Sequence, residues 1–254
     1  MKILRLFLLL LIISMPVFAV NVRSGDDLIV AMHKKYEGKW YKTLTFVQQT
    51  ITTHPEGTTT SEKWYEAMTV PGSLRIDFAD SKTGDGILFA GGKIYSFRDG
   101  KPATGRPFVH PLLVLGFDIY MQPSTTTIEQ VKGMGIDLSV IHEEKWMRKT
   151  VYVVGAKQGD MKTPQVWVDK KDLVFVRLIQ LGGRDKKVVQ ETQFNKYQKV
   201  KGGGWVSAEV KFFVDGKPTT TEQYSDIQTN IKLDSGLWDP EKWATADRTY
   251  YLKK

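Results

Sequence analysis

The sequence predicts a mainly β, antiparallel protein with a few short helices, and three observations carry that reading. From Thr43 onward apolar residues recur at every second position, glycine-containing turn pairs punctuate the alternation, and a segment near the middle is apolar on almost every helical face. Strands joined by such short turns favour an antiparallel meander. A parallel sheet would need a longer crossover between neighbours.

Taken in order, the chain opens with Met1, Lys2 and Arg5, an apolar run from Leu6 to Ile13, and the small-residue site Val17-Phe18-Ala19. That pattern predicts a secretory leader over 1–19, too short and too soon broken by Pro16 to be a membrane anchor, and one domain over 20–254. Ser24 then predicts a helix cap, with Asp26 and Asp27 in the first turn, Leu28, Ile29, Met32 and Tyr36 at helical spacing, and Gly38 as the stop. The helix is expected over Asp26 to Glu37.

Period two begins next. Leu44, Phe46 and Gln48 alternate with Thr45, Val47 and Gln49; Leu74, Ile76 and Phe78 alternate with Ser73, Arg75 and Asp77. Ile87 and Phe89 precede the turn Gly91-Gly92, and Tyr95 and Phe97 precede Asp99-Gly100. Later strands are expected over Lys149 to Val154, Gln165 to Val168, Leu173 to Leu181, Val188 to Tyr197, Trp205 to Val214 and Thr219 to Ile231, with Asp215-Gly216 as the hairpin joining the last pair.

The interruption runs from Pro107 to Met121, followed by a second short helix through Ile128, Val131 and Met134 with Ser124 or a neighbouring Thr as its cap. A helix apolar all round must be buried on several sides or cover something apolar. In a sheet protein it suits a lid over a cavity.

Composition excludes several classes of function. Lys and Arg number 36 against 28 Asp and Glu, a net +8 that becomes +6 (34 against 28) without Lys2 and Arg5. The charges are interspersed, which marks a solvated surface and argues against nucleic acid. With no cysteine there is no disulfide, thiol nucleophile or lipid-modified amino terminus. His33, His54, His110 and His142 are isolated from one another, so no metal site or cofactor is expected, and His110 reads as a hydrogen-bonding residue at the start of the apolar helix. No G-x-S-x-G elbow occurs, Gly91-Gly92-Lys93 and Gly202-Gly203-Gly204 read as turns, and Asp77, Asp85, Glu143 and Glu144 show no pairing. No enzymatic activity is expected; a hydrolase would need carboxylates brought together by the fold.

The residues resemble the LolA-like family of outer-membrane lipoprotein carriers and sorting proteins. The likeness lies in the helix Leu28 to Tyr36 before Phe46-Val47-Gln48, the proline-led strand Pro71 to Asp77, the hairpin Gly91 to Phe97, Trp167-Val168-Asp169 with Leu173, Phe175 and Arg177, and Leu237-Trp238-Asp239-Pro240 near the end. It implies an incomplete, strongly curved antiparallel β-barrel with a helical lid over an apolar cavity for acyl chains. Phe46, Ile76, Phe78, Phe89, Tyr95 and Phe97 of the sheet and Leu112, Leu113, Leu115 and Phe117 of the lid are the expected lining. Val70 stands where the carriers have a basic residue that helps latch the lid, and Arg75 is not its substitute. The resemblance implies a monomeric periplasmic carrier for a lipid or acylated lipoprotein, working with an inner- or outer-membrane protein. The alternative is an envelope regulatory or scaffolding protein that binds a membrane-protein partner through the same fold.

Overall fold

The computed structural model describes residues 21–78 and 84–252; the expected leader lies outside the described residues. The first helix, α1 (Gly25–Tyr36), is capped as its sequence requires, Ser24 Oγ accepting from Asp27 N at 3.1 Å. It buries Leu28, Ile29, Met32 and Tyr36.

Two runs of hairpins follow. The first comprises β1 (Thr43–Thr53), β2 (Thr59–Thr69), β3 (Ser73–Phe78), β4 (Gly86–Ala90), β5 (Lys93–Arg98), β6 (Lys101–Pro102) and β7 (Arg106–Pro107). The second comprises β8 (Ile141–Trp146), β9 (Lys149–Val154), β10 (Gln165–Asp169), β11 (Phe175–Gly182), β12 (Val188–Lys199), β13 (Trp205–Val214) and β14 (Lys217–Thr229). Both runs belong to one antiparallel sheet of 14 strands in the order β6-β5-β4-β3-β2-β1-β14-β13-β12-β11-β10-β9-β8, with β7 beside β5. The sheet is curved around a core and not closed. Its centre is the pairing of β1 with β14, which joins the two runs from Leu44↔Thr229 to Thr52↔Thr220.

Between the runs lie α2 (Pro111–Gly116), a 3₁₀ turn at Asp118–Tyr120 and α3 (Ser124–Gly133). The apolar segment is therefore helical as expected, but broken at Phe117. The capping of α3 differs from expectation: Pro123 is the N-cap and no side chain caps it, because Ser124 is already inside the first turn. Leu173 is not in a strand either. Its φ of +53° and the bond from its N to Asp169 O at 2.7 Å close the turn before β11. In the W-V-D hairpin, Asp169 accepts from Lys171 N and Asp172 N at 2.9 Å and pairs with Lys149, holding that turn.

Hairpin register decides which residues share a face. The Gly91-Gly92 turn, with φ of +57° and +71°, pairs Ala90 with Lys93, and so Phe89 with Ile94 and Leu88 with Tyr95. Tyr95 and Phe97 consequently point to the outer face with Leu88, not to the concave face with Phe89. This corrects their assignment to the cavity: two turn residues between Ala90 and Lys93 reverse the parity assumed from the alternation.

The outer face of β3 to β5 is covered by the carboxy-terminal segment. Trp243 is fully buried there, stacked on Phe97 at 3.8 Å and on the Arg75 guanidinium at 3.6 Å, and its indole N–H donates to Gly84 O at 2.8 Å. Arg75 forms a two-bond fork with Asp77, 2.8 Å each, and donates to Trp243 O at 3.0 Å. Gly86 is required beneath the indole, since a Cβ there would stand 2.2 Å from Ile76 O and 2.7 Å from the ring. Leu237 packs with Ala67 and Ala246, and Asp239 caps the turn at Pro240–Lys242 by accepting from Glu241 N at 3.0 Å.

Removing the indole leaves a large hole between sheet and tail. Trp243→Ala should cost about 3–5 kcal/mol in urea unfolding; a loss below about 1 kcal/mol would show that the tail does not seal the sheet.

Candidate functional site

A cavity of about 460 Å³ lies on the concave side, within the size range of ligand sites. Register brings its lining together: Phe46 pairs with Glu66, Glu66 with Ile76, and Gln48 with both Trp64 and Tyr224. Met68, Leu74, Phe194 and Phe212 extend the apolar wall, and Leu112, Leu113 and Phe117 of the insert form the roof.

Of the residues expected to line a cavity, Phe46, Ile76, Leu112, Leu113 and Phe117 do. Phe78 shares their face but packs behind Trp64, a lining residue, with the rings tilted and their centres 4.8 Å apart. Phe89 lies under the start of the roof, 4.6 Å from the His110 ring. Leu115 points away, into the packing between α1 and β9 to β11 with Leu28, Ile119, Val154 and Phe175. On so short a helix one face roofs the cavity and the other fills the core. Tyr95 and Phe97 are on the outer face, as described.

The roof is fastened at three points. His110 Nδ1 caps α2, accepting from Leu112 N at 3.2 Å and Leu113 N at 3.4 Å, and burial pulls its pKa down to about 4, so the ring is neutral. Asp118 Oδ1 accepts from Gly72 N, at the β2–β3 turn, at 2.9 Å. Burial pushes the Asp118 carboxyl up to about 7 against the opposing effect of that bond. Tyr120 Oη accepts from Phe175 N at 2.9 Å, and its ring stacks on Trp40 at 3.8 Å.

Sequence reasoning missed three acids in this wall, of which Glu191 is paired with Arg177 at 2.8 Å. Glu66 is 4% exposed, and burial, with repulsion from Glu222, holds its pKa well above the ordinary range. Glu222 is pushed up to about 7 by burial, while bonds from Tyr224, whose hydroxyl donates to Oε2 at 2.8 Å, and from Gln48 oppose the shift. The available signal was phase: Glu66 lies between Trp64 and Met68, and Glu222 two residues before Tyr224, both at inward positions of alternating strands.

The carboxylates singled out from the sequence do not converge. Asp77 is held by Arg75, Asp85 accepts from Asp99 N at 2.7 Å, Glu143 pairs with Lys170 at 2.5 Å, and Glu144 pairs with His142 at 2.9 Å. Among the described residues no group of three or more His, Asp or Glu could hold a metal ion, and no helix is long and apolar enough to cross a membrane.

Solved structures share this architecture. A domain named for outer membrane lipoprotein sorting, from Vibrio parahaemolyticus, superposes with a TM-score of 0.60 at 12% identity, over 85% of this chain and 97% of its own. A LolA superfamily protein from Nitrosomonas europaea superposes with a TM-score of 0.54 at 11% identity, over 83% and 96%. The fold is LolA-like. A DUF1329 family protein from Desulfovibrio piger shares this LolA-like frame, with a TM-score of 0.56 at 14% identity over 85% and 95% of the two chains. No family's sequence profile and no curated protein matches the chain. Within this LolA-like fold the roof meets the β2–β3 turn where the Asp118 carboxyl accepts from Gly72 N, the residue directly after Val70-Pro71.

Two outcomes follow for the buried acids. A carboxyl whose folded pKa is raised contributes stability that is fully present below its unfolded value and is lost as pH rises through the folded one. For Glu222 that window runs from the ordinary 4.5 to about 7. Glu222→Gln should therefore melt higher than the parent at pH 8 and show little gain at pH 4; an equal gain at both would contradict burial of the charge. Asp118→Ala should cost about 1–3 kcal/mol by leaving Gly72 N–H without its acceptor. Faster amide exchange at Gly72 would identify that bond as the cause.

Proposed function

We propose that this chain is a periplasmic binding or carrier protein for lipids or acylated lipoproteins, its ligand's acyl chain lying in the cavity under α2. The observation that carries the reading is the apolar cavity of about 460 Å³ between the sheet and a roof helix. A tightly packed core leaves few voids larger than a water molecule, so a recess of this size lined by apolar side chains is a surface on which a ligand can be buried. Each methylene brought in from water contributes about 0.8 kcal/mol.

The LolA-like fold and the leader pattern over 1–19 support placing it in the envelope. In this reading residues 20–254 act as one monomeric binding domain that needs neither cofactor nor nucleic acid. Delivery or collection of cargo would involve a protein of the inner or outer membrane. Binding rather than catalysis is favoured because the wall offers apolar contact over most of its surface.

Leu113 separates a cavity from a filled core. Leu113→Asp should abolish binding of the uncharged apolar dye 1-N-phenylnaphthylamine while the protein still melts cooperatively, because the new charge faces a hollow. Loss of cooperative melting would mean that the space is packed core. Unchanged dye binding in a stably folded variant would mean that the roof does not cover the ligand.

A further inference from the structure

The carrier reading leaves the head of the ligand undefined, and the cavity wall speaks to it. Glu66 sits among Trp64, Met68, Phe46 and Ile76, and among the described residues none donates a hydrogen bond to its carboxyl. The carboxyl is not sealed within protein but opens onto the cavity, where a donor on a ligand can reach it. Glu222 is another acid of the same wall, and Tyr224, which donates to it, stacks on Phe46 with ring centres 4.2 Å apart.

No lysine or arginine lines the cavity. The remaining titratable groups around it do not compensate the acids. His110, at the start of α2, is neutral; Glu191 of β12 is engaged by Arg177 of β11, Nε to Oε1 at 2.8 Å; and Tyr224 of β14 donates to Glu222. With Glu191 paired and no lysine or arginine in the lining, a wall holding Glu66, Glu222 and aromatic faces, once its acids ionise, repels a carboxylate or phosphate head and attracts an ammonium.

Resting on the carrier reading, we propose that the cavity selects single-chain amphiphiles with a cationic amine head, the ammonium donating to the free Glu66 carboxyl and drawn by Glu222 while the chain lies against Phe46, Ile76, Leu113 and Phe117. Free fatty acids and phospholipid heads are disfavoured there. Binding an ammonium displaces a proton from the carboxyls, so the preference strengthens as pH rises toward and past neutrality. A primary amine stays protonated over that range.

Three twelve-carbon probes that differ only in the head test this: dodecylamine, dodecanol and laurate, each displacing 1-N-phenylnaphthylamine from the full mature chain below its micellar range. At pH 8 dodecylamine should bind about tenfold or more tighter than dodecanol, with laurate weakest. The amine-to-alcohol ratio should fall at pH 5. Glu66→Gln should bring the ratio toward one. Glu222→Gln should reduce it and, as a separately folded variant, serves if Glu66→Gln melts early. A wild-type protein that binds dodecanol and dodecylamine equally at pH 8, or laurate best, overturns the amine proposal and leaves the carrier reading standing. A protein that takes up neither dye nor any probe overturns both.

Discussion

β1 and β14 come from near opposite ends of the chain, and their antiparallel register is what converts two separate hairpin runs into one curved surface. Each run alone would be an open ribbon with a solvated face. Joined, they bring Phe46 and Glu66 of the first run opposite Phe194 and Phe212 of the second across a common hollow. Closing so long a loop is entropically expensive and is offset only by contacts that form together. The cavity and its acids therefore exist only in the complete sheet.

Around that joint, the two faces of the first run have different partners. The outward residues Arg75, Leu88 and Phe97 are sealed by Trp243 and the carboxy-terminal turns, with the ion pair of Arg75 and Asp77 fully buried. The inward residues Phe46, Met68, Leu74 and Ile76 border the cavity and the roof helix while remaining part of the main core. Rigidity on the back of β3 to β5 thus supports a front that is left unfilled. The roof is held through an acid on the insert and a backbone N–H on the sheet, Asp118 and Gly72, so it is fastened without a basic residue at position 70.

Much of this was legible in the sequence. Local signals sufficed for α1 with its Ser24 cap, for the hairpins at Gly91-Gly92 and Asp215-Gly216, and for the helical insert, because caps and two-residue turns depend on a few neighbours. Long-range facts were not legible. β2 carries Ser61, Glu62, Lys63 and Glu66 and lacks a clean apolar alternation, and β8 reads Ile-His-Glu-Glu-Lys-Trp because it is an edge strand with little to bury. The assignment of Tyr95 and Phe97 failed on parity across a turn. Leu115 was misplaced because an all-apolar helix does not declare which side faces a hollow. The acids at positions 66 and 222 escaped because residues distant in sequence become neighbours only once β1 pairs with both β2 and β14.

The sheet ends at β6 on one side and β8 on the other without a ladder between them. In a closed barrel, circumference is set by strand number and stagger, and it cannot widen without breaking hydrogen bonds. Here, among the described residues, no ladder fixes the distance between the two rims, and the twist of the strands sets it instead. The width of the interior is thus a property of bending, set by strand twist and by the fastening of the roof, and not of a closed ring of hydrogen bonds.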